Sequence, residues 1–109
     1  MSPGEWVEIR AFRGPRRASV YREHALLEKA FARIVGVGER AGLPLLSSLD
    51  PRGPRELDKT EAQQLADEAT NIRAGAELPD LDPDLVGIAE VARWCAHASG
   101  ESWLKIKGH

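Results

Sequence analysis

The chain has 109 residues, of which 42% are hydrophobic and 29% are charged. This balance is ordinary for a folded protein and too apolar for an intrinsically disordered one. No apolar run approaches the ~20 residues that a transmembrane helix requires, so the composition argues against a membrane-spanning protein. We expect a single globular domain over residues 1–109, with room for one hydrophobic core.

Cysteine usage and the first residues bear on the cellular compartment. Cys95 is the only cysteine, so neither an intrachain disulfide nor a Cys-rich zinc site can form within one chain. The opening residues, MSPGEW, have neither the basic start nor the apolar stretch of a signal peptide. Both features predict a cytoplasmic protein, because disulfides and signal peptides belong mainly to secreted chains.

The formal net charge of −2 conceals a strong asymmetry along the chain. Residues 1–55 carry ten Lys and Arg and six Asp and Glu, which gives +4. Residues 56–109 carry five and eleven, which gives −6. Charge blocks of this kind can steer the approach of charged partners, so the asymmetry favours a role in surface recognition.

The N-terminal third predicts a strand followed by a helix. Residues 6–12 alternate in character with a period of two, which is typical of a β-strand, and a Gly-Pro pair then ends it. Residues 16–21 fit either the return strand of a hairpin or the lead into a helix. Apolar residues recur at helical spacing after Ser19, a suitable N-cap, and predict a helix over about 20–41.

The middle of the chain predicts a packed connector and a second helix. The connector, residues 43–57, begins with four closely spaced leucines, so part of it should pack on the core. Asp58 and Glu61 match the capping box that begins a helix. An apolar stripe at helical spacing follows, and Gly75 ends the helix.

The C-terminal third predicts a buried helix and a last strand. Asp82 is a suitable N-cap and Pro83 a suitable first residue for a third helix, which ends at Gly100. This helix is apolar almost all round, so we expect it to be buried on several sides. Residues 102–107 alternate again, and the two terminal strands should pair because a lone strand leaves its backbone groups unpaired.

Together these elements predict an α/β fold of the α+β class. Three helices form the core beside a small sheet that pairs the N-terminal and C-terminal strands, in the order β-α-α-α-β. A hairpin near the N-terminus would add an extra strand to this sheet.

No residue pattern predicts a metal site or a cofactor. Asp80, Asp82 and Asp84 have the spacing of a calcium-binding loop. The glycine and the bidentate glutamate that complete such a loop are missing. The carboxylates suit the start of a helix instead, where they complement its dipole.

No residue pattern predicts catalysis either. Glu90, Arg93 and His97 share one face of the third helix, and an acid, a cation and an imidazole could support acid–base chemistry. No Ser or Cys is spaced to act as a nucleophile beside them, so we interpret them as a solvated stripe of charges. A small enzyme that uses these residues in a pocket between the sheet and the third helix is the least favoured alternative function. Cys95 lies on the apolar face and should be buried and structural. His24, near an apolar stripe, should lie at the edge of the core.

The Arg-rich N-terminal region supplies one candidate binding surface. It places five arginines within thirteen residues, with no acid among them. The outward faces of the terminal strands add lysines and the aromatic residues Trp6, Phe12 and Trp103. Single-stranded nucleic acids and acidic partners bind to such surfaces, so a nucleic-acid-binding module is our alternative function. Its contact residues would be Arg10, Arg13, Arg16, Arg17, Arg22, Lys105 and Lys107.

The second predicted helix supplies the surface that we favour. Residues 56–84 carry nine Asp and Glu against two cations. Helical spacing should turn the polar residues of this helix away from its apolar stripe. We hypothesise that this acidic face binds a protein partner, as in an inhibitor, an immunity-type protein or an adaptor. The predicted contacts are Glu61, Gln64, Asp67, Glu68 and Asn71.

Overall fold

The computed structural model describes residues 6–14, 20–50 and 53–108 and confirms the α+β class. Four antiparallel strands form one sheet in the order β2-β1-β4-β3. The elements in chain order are β1 (Trp6–Arg13), β2 (Val20–Leu27), α1 (Glu28–Arg40), α2 (Pro44–Ser48), β3 (Arg55–Leu57), α3 (Lys59–Gly75), a short 3-10 turn (Pro79–Leu81), α4 (Asp82–His97) and β4 (Ser102–Gly108).

The two central strands of the sheet come from opposite ends of the described chain. β1 pairs with β4 over seven residue pairs, from Val7 opposite Gly108 to Arg13 opposite Ser102. This confirms the predicted pairing of the terminal strands. Alternate side chains of both strands point toward the helices and are almost completely buried: Val7, Ile9, Ala11, Leu104 and Ile106.

Residues 20–27 form a strand, so the helix predicted over about 20–41 is wrong in its first eight residues. They make β2, the return strand of a hairpin with β1, and α1 begins only at Glu28. The helical spacing misleads because most of these residues are exposed and do not form one buried stripe. The alternative of an extra hairpin strand is confirmed. Ser19, the predicted N-cap, lies outside the described residues.

α4 is the central helix, as its sequence predicts, because it packs against three strands and against α3. The helix includes Asp82 as its first residue, so the predicted cap is displaced by one position to Leu81. The Asp82 carboxylate instead accepts a 2.8 Å hydrogen bond from Nε of Arg73 on α3. Cys95 is fully buried, as expected, and burial raises the pKa of its thiol.

The capping box at the start of α3 is confirmed. Oδ1 of Asp58 accepts a 2.8 Å hydrogen bond from the backbone N–H of Glu61. The Glu61 side chain accepts a 3.2 Å hydrogen bond from the backbone N–H of Asp58 in return. The helix ends at Gly75, and Ala76 adopts the left-handed conformation that commonly terminates helices.

The connector between α1 and α3 packs on the core, as its leucines predict. Leu45, Leu46 and Leu49 are buried, and the first two belong to α2. Helix α2 lies against α3, where Glu68 meets its first turn. The carboxylate accepts hydrogen bonds from the backbone N–H groups of Leu45 (3.1 Å) and Leu46 (2.7 Å). It thereby satisfies two of the donors that a helix start leaves unpaired.

Glu68 is only 5% exposed, so the expectation that it projects into solvent is wrong. The sequence could not show that α2 covers this side of α3, because α2 is a single short turn without its own periodic pattern. The side chain of Gln64, one turn earlier, donates a further 3.0 Å hydrogen bond to the same carboxylate. Glu68 is therefore a structural clamp between α2 and α3.

Replacing Glu68 by Ala should lower the free energy of unfolding by about 1–3 kcal/mol, because two buried N–H groups lose their acceptor. Chemical denaturation followed by circular dichroism measures the effect. Asp67→Ala is the matched control, since its exposed carboxylate should change stability by no more than about 0.5 kcal/mol. Equal losses in the two variants would show that Glu68 does not clamp α2.

Candidate functional site

One face of the sheet points away from the helices and carries no buried side chain. On β1 and β4 every outward side chain is exposed or half-buried, whereas the inward residues between them are buried. Residues of β2 and β3 that lie opposite these outward positions share their face. We call this surface the open face, and its members are Trp6, Glu8, Arg10, Phe12, Val20, Glu23, Ala25, Leu27, Glu56, Trp103, Lys105 and Lys107.

A stacked aromatic pair occupies one end of the open face. Phe12 and Trp103 lie opposite each other on β1 and β4. Their ring centroids are 4.3 Å apart and their planes differ by 13°. The indole N–H of Trp103 donates a 3.3 Å hydrogen bond to the carbonyl oxygen of Gly14. This cross-strand stack is a pre-ordered apolar platform that leaves part of both rings accessible.

Charges of both signs occupy the centre of the open face. Across the four strands, Glu23, Arg10, Lys105 and Glu56 lie opposite one another in turn, so that acids flank the two cations. Arg10 forms ion pairs with Glu8 on its own strand and, at 3.2 Å, with Glu23 on β2. The centre of the face is therefore close to electrically neutral, although it is densely charged.

A shallow hollow of about 130 Å³ lies between the aromatic stack and the cations. Its walls are Glu8, Arg10, Phe12, Lys105 and Lys107. Among the described residues, no ion pair within 4.0 Å engages either lysine.

The other end of the open face is apolar. Trp6 on β1 lies opposite Leu27 on β2, and the two residues are 48% and 40% exposed. Exposed side chains of this size next to each other are typical of a contact surface.

The structure brings three of the predicted basic contacts together. Arg10, Lys105 and Lys107 share the open face, next to the aromatic residues that the sequence places there. Arg13 ends β1 and donates a 2.9 Å hydrogen bond to Oγ of Ser99. Its guanidinium is exposed at the end of the sheet, beyond the aromatic stack.

The remaining predicted arginines do not join this group. Arg22 lies opposite the buried Ala11, so it points to the helical side of the sheet. Its guanidinium carbon is 5.9 Å from the ring centroid of Trp94 on α4. The expectation that Arg22 shares the outer face is therefore wrong, because a register shift after Ala11 alters the alternation of β2. Arg16 and Arg17 lie outside the described residues.

The predicted contacts on α3 form a narrower acidic surface than the sequence indicates. Glu61 belongs to the capping box and makes an ion pair with β3, while Glu68 is buried with Gln64 bonded to it. Asp67 and Asn71 are exposed. Free acidic charge on this helix is therefore reduced, since two of its three carboxylates already have structural partners.

A contact at the edge of the core joins β2 to α4, and the sequence does not reveal it. Nε2 of His24 lies 2.9 Å from Oδ1 of Asp84 in the first turn of α4. Gly87 lies under the imidazole so closely that a Cβ there would overlap the ring. His24 does lie at the edge of the core, as expected, but its partner is 60 residues away. The glycine inside an apolar helix was the one available signal of a close approach.

The polar stripe of α4, which consists of Glu90, Arg93 and His97, is exposed. Arg93 donates a 2.7 Å hydrogen bond to Oγ1 of Thr70, and Glu90 and His97 are exposed. Within the described ranges, no three His, Cys, Asp or Glu side chains are grouped so that they could hold a metal ion. No helix in the described part of the chain has the length and apolarity to cross a membrane.

Comparison with known proteins assigns no relative. No protein-family model matches the chain, and no curated protein or solved structure matches it significantly. The proposal for the function therefore rests on the open face.

Replacing Gly87 by Ala should lower the free energy of unfolding by about 1–3 kcal/mol, because the new methyl group overlaps the ring of His24. In a His24→Ala background the same change should be neutral or stabilise by up to about 1 kcal/mol, since Ala favours helix over Gly. A double-mutant cycle by chemical denaturation separates the two effects. An equal loss in both backgrounds would mean that the imidazole does not pack on Gly87.

Proposed function

We propose that the protein is a small binding domain that recognises another protein through the open face of its sheet. The observation that carries the proposal is the Phe12–Trp103 stack beside Lys105 and Lys107 on a face without buried side chains. Aromatic side chains supply contact area at a low entropic cost, and the surrounding charges supply selectivity. A regulatory role as an inhibitor, an immunity-type protein or an adaptor fits a domain that acts by binding.

The interleaved acids favour a protein partner over a nucleic acid. Glu8, Glu23 and Glu56 each lie next to a cation of the open face. A phosphate backbone gains affinity from each cation that it meets and loses affinity to each carboxylate nearby. A protein surface can match both signs at once, and the net charge of −2 adds no general attraction for nucleic acid.

Single-stranded nucleic acid is the second candidate, and one observation favours it. Lys105 and Lys107, which form no ion pair with the residues that the structure describes, lie next to the aromatic stack. Nucleic-acid bases stack on such rings while cations follow the backbone. This function requires the nucleic acid to follow one end of the open face and to avoid the glutamates at its centre.

The exposed residues Asp67 and Asn71 on α3 supply a contact for a basic partner that is separate from the open face. We retain this acidic contact as a hypothesis of lower rank. The Asp67 carboxylate accepts a 2.9 Å hydrogen bond from Gln63 of the same helix, and the neighbouring Glu61 and Glu68 already have structural partners, so little acidic charge is left for a partner.

The double substitution Lys105→Glu/Lys107→Glu should weaken binding of the partner by about tenfold or more, because it reverses two cations of the open face beside the aromatic stack. The partner is captured from a native lysate of the producing cells, purified, and measured by surface plasmon resonance. Lys29→Glu/Arg40→Glu is the matched control, since it makes the same change in net charge on exposed positions of α1.

Three outcomes separate the hypotheses. Loss of binding in the open-face variant alone supports the proposal. Loss in the Asp67→Lys/Asn71→Lys variant alone would move the contact to α3. Tight, salt-sensitive binding of a labelled single-stranded oligonucleotide that the open-face variant abolishes would favour the nucleic-acid function.

A further inference from the structure

Two depressions of opposite charge border the Phe12–Trp103 stack. One is the hollow of about 130 Å³ beside the cations of the open face, and Phe12 is part of its wall. The other is a groove of about 690 Å³ between the start of β4 and the first turn of α3, and Trp103 is part of its wall. We call the first the basic hollow and the second the acidic groove, for the charges that line them.

The acidic groove carries a net negative charge. Among the described residues, Lys59 is the only cation in its wall. The carboxylates in the same wall belong to Glu56, Asp58, Glu61 and Glu101. An ion pair with Arg55 offsets the charge of Glu61, which leaves three carboxylates against one ammonium group. The groove therefore suits a cationic group.

The basic hollow carries the opposite sign. The charged residues of its wall are Arg10, Lys105 and Lys107 on the cationic side and Glu8 on the acidic side. Arg10 forms ion pairs with Glu8 and Glu23. No ion pair within 4.0 Å joins either lysine to a described residue. The hollow therefore suits a carboxylate.

Acid, aromatic ring and cations follow one another along β4 at the spacing of an extended chain. Glu101 directly precedes β4, and its carbonyl oxygen accepts a 2.8 Å hydrogen bond from the N–H of Gly14, which continues the ladder with β1. Alternate residues of an extended chain share one side and lie about 7 Å apart. The residues on the outward side are, in order, Glu101, Trp103, Lys105 and Lys107.

We propose that the partner of the open face is an extended protein segment that carries a carboxylate, an apolar side chain and a cation at alternate positions. Its apolar side chain packs on the Phe12–Trp103 stack, and its carboxylate enters the basic hollow. Its cation enters the acidic groove, where the ring of Trp103 supplies a cation–π contact. This inference rests on the proposed function and specifies the chemistry of the partner.

The opposite signs of the two depressions distinguish this segment from other extended partners. A segment with only acidic residues gains at the basic hollow and is repelled at the acidic groove, and a segment with only basic residues does the reverse. A nucleic acid offers phosphates to both and is repelled at the groove. A segment with both signs around an apolar side chain meets an opposite charge at each end.

Synthetic peptides test this specificity on the full chain by NMR titration, with the indole N–H signal of Trp103 and the amide signals of β4 as the readout. Acetylated and amidated Glu-Thr-Phe-Thr-Arg presents the three side chains on one side. Glu-Thr-Phe-Thr-Glu and Arg-Thr-Phe-Thr-Arg each change one sign. The wild-type chain should bind the first peptide about threefold more tightly than either of the others, because each of these places a like charge in one depression.

Charge reversals in the chain test which depression holds which charge. Glu101→Lys should shift the preference toward Glu-Thr-Phe-Thr-Glu, and Lys105→Glu/Lys107→Glu should shift it toward Arg-Thr-Phe-Thr-Arg. Glu39→Lys is the matched control for Glu101→Lys, because it makes the same charge change on an exposed position of α1, and it should keep the wild-type preference. Circular dichroism checks that each variant is folded.

Equal affinity of the wild-type chain for the three peptides would overturn the inference, as would the absence of any change in these signals. So would a Glu101→Lys variant that keeps the wild-type preference. The captured partner tests the proposed function separately. If Lys105→Glu/Lys107→Glu weakens binding of that partner while the peptides bind equally, only the charge order of the segment is refuted. If that variant binds the partner unchanged, the proposed function itself is refuted.

Discussion

The pairing of β1 with β4 is the contact on which the rest of the structure depends. The two strands lie almost 90 residues apart in sequence and form the middle of the sheet. β2 attaches to β1 and β3 attaches to β4, so neither edge strand has a place in the sheet without the central pair. α4 packs on β1, β2 and β4 together, so the surface that buries this helix exists only when the sheet is assembled. Closing a loop of this length costs chain entropy, which the burial of the central side chains offsets.

The same pairing creates the surface to which we assign the function. Alternation along the two central strands buries one set of side chains under the helices and leaves the other set outward. Phe12 and Trp103 become neighbours only because their strands are paired in this register. A shift of β4 by one residue would turn Trp103 toward the helices and expose Leu104 instead, which would separate the two rings. Fold and binding surface are thus two consequences of one register.

The sequence predicted those parts of the fold that depend on local signals. The capping residues Asp58 and Glu61 located the start of α3, and the alternation of residues 6–12 and 102–107 located the central strands. The prediction from sequence is wrong at β2, because the apolar residues of this strand recur at helical spacing although most of them are exposed. The apolar pattern along the chain does not distinguish an exposed edge strand from a helix with a buried stripe. Pairing with the neighbouring strand decides which of the two structures forms.

The candidate site was predictable in part for the same reason. The aromatic and cationic residues of the terminal strands alternate visibly, so their common face follows from the sequence. Two of the glutamates that neutralise this face, Glu23 and Glu56, come from β2 and β3, whose positions in the sheet depend on tertiary contacts. Glu68 was misplaced because its partners are the backbone N–H groups of α2, more than twenty residues earlier. Likewise, the contact of His24 with Asp84 and Gly87 joins distant segments and has no local pattern.

Hydrogen exchange of the backbone amides tests the dependence on the central pair most directly. If β1 and β4 hold the fold together, their hydrogen-bonded amides exchange only through global unfolding and are the slowest in the chain. The amides of α4 that face the sheet should then show the same free energy of opening. Exchange of the β4 amides at a much lower free energy, while α3 and α4 stay protected, would contradict this account, because the helices would then be stable without the central strands.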